Sequence, residues 1–257
     1  MEHDFTGGSV WKKLLLFAVP IFGANLLQAL YGTVDLFVVG LFADASAVSA
    51  VSTGSMTMQT ITGIITGLTM GCTVLLGQNI GKKDEAAAER TVGSALWLFV
   101  TVGILLAVIV AVLAVGIASV INALAEAFSQ TTDYIRICGI GIICIVMFNA
   151  IGGMFRGLGD ARTPLALMGV ACVVNIAGDF ALVGALKMGV AGAALATVAV
   201  QGILSTFLVR IPVSYAMSKV SGVTLFQIGF ATPLATVFGL ILSASCVIYY
   251  ERKRKKA

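Results

Sequence analysis

The chain has 257 residues, 59% of them hydrophobic and only 11% charged, with a mean hydropathy of +1.03. Soluble domains carry about 45–50% apolar and about 25% charged residues, so a water-soluble globular fold is excluded before any motif is considered. The net charge of +4 gathers in the basic tail Glu251–Ala257 and a few loops, which suits anionic lipid headgroups and not nucleic acid.

A bilayer-spanning helix needs about 20 apolar residues. Hydropathy predicts helices at Val10–Leu41, Ala45–Asn79, Ala86–Val120, Thr131–Leu158, Pro164–Leu186, Val190–Ser218 and Leu225–Tyr250. Lys12 and Lys13 lead into an apolar run too long for a signal-peptide core, so no cleaved leader is expected. Pro20 removes a backbone hydrogen bond from the first helix and is expected to bend it. Gly63-xxx-Gly67-xxx-Gly71 runs down the second helix and Gly153-xxx-Gly157 ends the fourth, a spacing that lets helix backbones approach closely. Breaker sequences mark the turns at Gly81–Asp84, Gly157–Asp160 and Lys187–Gly189. The five cysteines sit in apolar runs at no metal-ligand spacing and read as packing residues, and His3, the sole histidine, lies in a terminus.

Orientation follows from the cationic loops. Lys12 and Lys13 precede the first helix, Lys82, Lys83 and Arg90 lie around the second turn, and Arg156 and Arg162 around the fourth. The intervening loops are poor in Lys and Arg, so the N-terminus is expected in the cytoplasm. The C-terminal quarter breaks this alternation. Val190–Ser218 suffices for one span and not two, which would put the tail Arg252–Lys256 outside, against the positive-inside tendency.

An ionisable residue within a span is costly and marks a functional site by default. Two residues qualify, Asp35 in the first helix and Asp179 in the fifth. Asn175 and Asp179 stand four residues apart, so one helix face offers an amide oxygen and a carboxylate together. Asn149 and Thr197 are further candidates, with interhelical hydrogen bonding as the alternative role. The alternative for the two aspartates is to cap helix ends or face lipid headgroups. This oxygen-rich set, without thiolate or imidazole, suits a proton or a hard cation such as Na⁺ better than a transition metal. No enzyme signature is present. Gly77–Lys82 fails as a phosphate loop, because Leu76 replaces its first glycine and Lys83 its Ser or Thr.

Pro20, Asn25, Asp35 and Gly40 together resemble the first helix of the MATE family, the multidrug and toxin extrusion antiporters of the multidrug/oligosaccharidyl-lipid/polysaccharide exporter superfamily. Gly77–Gly81, Phe155–Pro164, Asn175-xxx-Asp179 and Gly189–Thr197 extend the resemblance over residues 10–200, with the DinF/NorM-like bacterial branches nearest. The resemblance implies an all-α polytopic fold working by alternating access with H⁺ or Na⁺ antiport, in a bacterial plasma membrane and without another cofactor. It also implies a cation site formed by Asp35, Asn149, Asn175, Asp179 and Thr197. Residues 1–201 correspond to a six-helix N-terminal lobe. Residues 202–257 resemble the end of helix eleven, helix twelve and a basic tail, as though helices seven to ten were missing. The expected function is export of small organic, cationic substrates. The alternatives are a non-transporting membrane protein paired with itself or a full-length relative, and a lipid-linked sugar flippase.

Overall fold

The structure, a computed structural model, describes residues 10–200 and Gly202. Three long helices come first: α1 (Val10–Phe42), α2 (Ala45–Gly81) and α3 (Glu85–Val120). Two shorter ones follow, α4 (Phe128–Ile140) and α5 (Ile142–Gly157), then α6 (Arg162–Asp179), which runs into a π-helical turn at Phe180–Ala185. The last described helix is α7 (Gly189–Val200). No strand occurs among the described residues. Four of these helical segments are long and apolar enough to cross a membrane, or up to five if the bent pair α4–α5 is one span. The chain is a multi-pass α-helical membrane protein. Gln201, on the N-terminal side of the expected junction, and the predicted helix ends beyond Gly202, the last helix and the basic tail lie outside the described residues.

The sequence predicts one helix over Thr131–Leu158, but α4 and α5 meet at an angle of 53°. Glycines at the break explain the bend, because they let neighbouring helices press against its backbone. A Cβ at Gly139 would stand 3.2 Å from the amide nitrogen of Ala111 on α3, and one at Gly141 would overlap Val198 on α7. Pro20, by contrast, lies inside a continuous α1.

The glycine stripes divide. At Gly153 a Cβ would overlap Thr69 Cγ2 and stand 2.9 Å from Thr73 Oγ1; at Gly157 it would stand 2.9 Å from the carbonyl oxygen of Thr73. The Thr73 hydroxyl donates across this seam to the Gly153 carbonyl at 2.9 Å. Gly63, Gly67 and Gly71 instead are exposed and would have nothing among the described residues within 4 Å of an added Cβ. The expectation of close packing holds for the α5 pair and fails for the α2 stripe, which faces away from α3, α4 and α5.

The helices assort into two groups. α2 packs on α4 and α5, and α3 covers α4 and α5, while α1 packs on α6. The apolar core divides likewise. The larger cluster includes Val51, Phe99, Ile135, Ile142 and Val146, and a smaller one gathers Met168, Ala171 and Val200 with Leu27 and Phe148. A cavity separates the clusters. Large apolar side chains such as Phe22, Ile64, Trp97 and Val112 cover the outside, where burial in lipid replaces burial in protein.

The loops carry ordinary turn chemistry. Asp84 caps α3 by accepting from the Ala87 amide at 2.9 Å. Asp160 accepts from the amides of Arg162 at 2.9 Å and Thr163 at 3.0 Å, and from the Thr163 hydroxyl. Burial acts upward on the Asp160 carboxyl, yet the Thr163 hydroxyl and amide, the Arg162 amide and the Arg162 charge together hold it below its ordinary range.

Candidate cation site and adjoining cavity

Asp35, Asn175 and Asp179 are 5%, 2% and 0% exposed. Asp35 projects from the second half of α1, where α1 lies against α6 and the π-helical turn. Asp179 is the last residue of α6, and Asn175 stands one turn before it. π-Helical turns are uncommon and occur often at functional sites. This one begins directly after Asp179. The carboxyl groups of Asp35 and Asp179 interact with each other. From α7, the Thr197 hydroxyl donates to Asp35 Oδ2 at 3.4 Å.

These groups are short of partners. Asp35 Oδ1, both carboxyl oxygens of Asp179 and both amide atoms of Asn175 are buried with no hydrogen bond. Buried polar groups are nearly always paired, and an unpaired one costs about 1–3 kcal/mol, more if charged. Two facing carboxylates also repel strongly in a medium of low dielectric. A proton shared between them, or a hard cation accepting their oxygens, would relieve both problems, and the donor set of carboxylate, amide and hydroxyl oxygens fits either.

Asp35, Asn149, Asn175 and Thr197 line one cavity of about 370 Å³, whereas Asp179 is not part of its wall. Asp35 is therefore the carboxylate that meets the cavity and Asp179 the one behind it. Asn149 sits apart in its bonding: its Nδ2 donates to the Ile145 carbonyl at 2.8 Å, and its Oδ1 accepts from Thr66 at 3.5 Å. Pro20 is not a lining residue.

Several polar lining residues escaped the sequence reading. Ser55, Gln59 and Thr62 line the α2 side, and Tyr134 and Cys138 contribute from α4. The tyrosine ring lies where a Cβ at Gly54 would stand, 3.0 Å from Tyr134 Cγ. Helical spacing was the available signal, since Ser55, Gln59, Thr62 and Thr66 recur along one side of α2. Among the described residues no Lys or Arg lines the cavity, and its apolar wall includes Met58, Phe148 and Met168. Among the described residues no cluster of three or more His, Cys, Asp or Glu could hold a metal ion.

The MatE family model matches residues 20–181. The chain belongs to the MATE family. Similar proteins include the probable multidrug resistance protein YoeA of Bacillus subtilis (strain 168), 31% identical over 205 residues, covering 78% of this chain and 44% of that protein. The multidrug export protein MepA of Staphylococcus saprophyticus (strain ATCC 15305) is 22% identical over 256 residues, covering 94% of this chain and 57% of that one. Among solved structures, a MOP superfamily transporter from Pyrococcus furiosus superposes with a TM-score of 0.74 at 23% identity, over 92% of this chain and 52% of that chain. A crystal structure of a MATE protein in the bent conformation gives 0.73 at 23% identity, over 93% and 54%. The MATE fold is thus shared, and the chain spans about half the length of the curated relatives it matches.

Proposed function

We propose that this chain is the cation-binding half of a MATE-type exporter, coupling efflux of small organic cations to entry of H⁺ or Na⁺. The observation that carries this reading is the buried Asp35–Asp179 pair at the edge of a cavity, with three of its four carboxyl oxygens lacking a hydrogen bond. In the proposed cycle the inorganic cation or proton occupies the oxygens of Asp35, Asp179, Asn175 and Thr197. Asn149 contributes through the cavity wall. An organic cation in the cavity draws on Asp35, so the two positive species compete for one carboxylate, and alternating access converts that competition into exchange. Pro20 bends α1 during the cycle. A wall that sets Asp35 among neutral amides and apolar side chains, with no basic side chain among the described residues, favours an organic cation over an anionic lipid-linked sugar.

The chain sits in a bacterial plasma membrane with its N-terminus in the cytoplasm. Asn25 and Gln59 line the cavity and are exposed well inside α1 and α2. Lipid would leave these amides unpaired, so a second protein surface, from another copy or a full-length relative, covers that side. The test is ethidium accumulation in cells carrying the chain, its Asp179→Asn variant or an empty vector. Lower accumulation with the parent alone supports export. Equal accumulation in all three removes transport and favours the non-transporting, partner-binding alternative.

A further inference from the structure

We infer that Gly141 and Gly178 are positioning residues for the cation site, setting where α7 holds Thr197 against Asp35. This rests on the cation-site reading above. Thr197 is flanked in α7 by Ala196 and Val198, and each flank packs on a glycine of a different helix. A Cβ at Gly141 would overlap Val198 Cγ1 and stand 2.6 Å from its Cγ2. A Cβ at Gly178 would stand 3.3 Å from Ala196 Cβ and 3.8 Å from its Cα. Gly141 forms the 53° break between α4 and α5, and Gly178 immediately precedes Asp179. One helix thus meets a glycine from each of the two helix groups, with the site threonine between the two contacts.

Backbone conformation does not demand glycine at either position. Gly141 has φ −80° and ψ −1°, open to any L-residue, and Gly178 lies in the α-helical body of α6 without a positive φ. Inside a helix, as at Gly178, glycine costs about 0.5–1 kcal/mol relative to alanine, and at both positions the close approach of α7 is what the missing side chain provides. The consequence falls on the bond between Thr197 and Asp35. At 3.4 Å it is already at the long end of hydrogen bonding, and a small outward displacement of α7 removes it. Gly153 supplies the contrast, being at least as tightly packed but against Thr69 and Thr73, outside the cation cluster.

The experiment measures thermal unfolding of the purified full chain while NaCl replaces KCl at constant ionic strength, and separately across pH. The quantity read is the cation concentration, or pH, at half-maximal stabilisation, because a ligand that binds only the folded state raises its stability by mass action. Gly141→Ala is expected to shift this midpoint by about tenfold or more, as loss of a supporting contact typically does for bound ions. Gly141→Ala/Val198→Gly, which also removes the Val198 Cβ that would stand 3.0 Å from the new methyl, should return close to the parent, and Val198→Gly alone should stay there. Gly153→Ala should lower the melting temperature and leave the midpoint in place. A parental midpoint in Gly141→Ala, or a shift that persists in the double variant, overturns the inference. If Gly141→Ala does not fold, Gly178→Ala decides, with a smaller shift in the same direction that Ala196→Gly reverses; a parental midpoint there overturns the inference equally. Asp179→Asn separates the two levels. If it keeps the parental response, or the parent shows none, the cation site itself is wrong and the inference goes with it. If it loses the response while the glycine variants keep it, only the positioning role is wrong.

Discussion

Asp35 and Asp179 carry the same functional group in different surroundings, and the difference predicts different phenotypes. Asp35 lines the cavity and accepts from Thr197, while Asp179 is fully buried behind the wall. Asp35→Asn should weaken binding of ethidium to the purified chain by roughly ten- to a hundredfold, since charge-assisted contacts contribute about 1.5–3 kcal/mol. Asp179→Asn should leave ethidium affinity near the parent while abolishing its displacement by Na⁺ or protons. Fluorescence titration of ethidium against each variant distinguishes the two, and an equal loss of affinity in both would contradict the division. The two aspartates and Asn175 were legible in the sequence because charge and amide groups are rare inside apolar runs. Tyr134, Ser55 and Thr62 were not, because hydroxyl-bearing side chains are ordinary in apolar helices and leave no such contrast; the Ser55 hydroxyl, for one, donates to the Ser52 carbonyl of its own helix. Asn149 was the further candidate with interhelical hydrogen bonding as its alternative role, and its amide oxygen accepts from Thr66 of α2 while its nitrogen donates to Ile145 within α5. Only the packing of α5 on α2 decides that.

Helix contacts and caps set the expectations for the elements. Gly153→Ala inserts a methyl group against Thr69 and should destabilise the fold by about 1–3 kcal/mol, as overpacking does, with Thr69→Ser restoring part of the loss. Gly67→Ala meets no neighbour within 4 Å and should stabilise α2 by about 0.5–1 kcal/mol through helix propensity. Thermal melts in detergent compare the two; destabilisation by Gly67→Ala would mean that another protein surface already covers that stripe. Asp160 caps α6, so Asp160→Ala should cost about 0.5–2 kcal/mol at neutral pH. Its carboxyl is held below its ordinary range. The cap contribution is therefore complete above the unfolded-state pKa and disappears as pH falls through the lower folded-state one. Melting temperatures of parent and variant should converge in acid and separate toward neutrality. Glycines and prolines alone did not indicate which helix breaks: Pro20 sits in a continuous α1, while the bend falls at Gly141, where α7 presses on the chain.

Membrane topology is the test at the scale of the molecule. The turns around Lys83 and Gly159 join ends of helices that the charge pattern places in the cytoplasm, and those around Asn122 and Lys187 lie at the opposite ends. Single cysteines introduced at these four turns, in a background with the native cysteines replaced, should split by side when treated with a membrane-impermeant thiol reagent. Labelling of the Lys83 and Gly159 positions from outside intact cells would reverse the proposed orientation and the direction assigned to cation entry. The exposed amides of Asn25 and Gln59 raise the second question at this scale. A cysteine at Gln59 should be shielded from lipid-soluble thiol reagents wherever a partner covers the cavity's open side, and labelled freely where none does.

By itself the sequence determined the membrane class, the approximate limits of the first helices, and the acidic residues of the candidate site. Each of these follows from local composition, because about 20 consecutive apolar residues must form a helix in lipid and any charge among them stands out. Only the tertiary structure decided where the fourth helix breaks, which glycine stripe is a packing seam, and that Asp179 lies behind Asp35 instead of beside it in the cavity. Those outcomes depend on which helix surfaces meet. A helix presents several faces, and its own sequence does not say which neighbour each face will find.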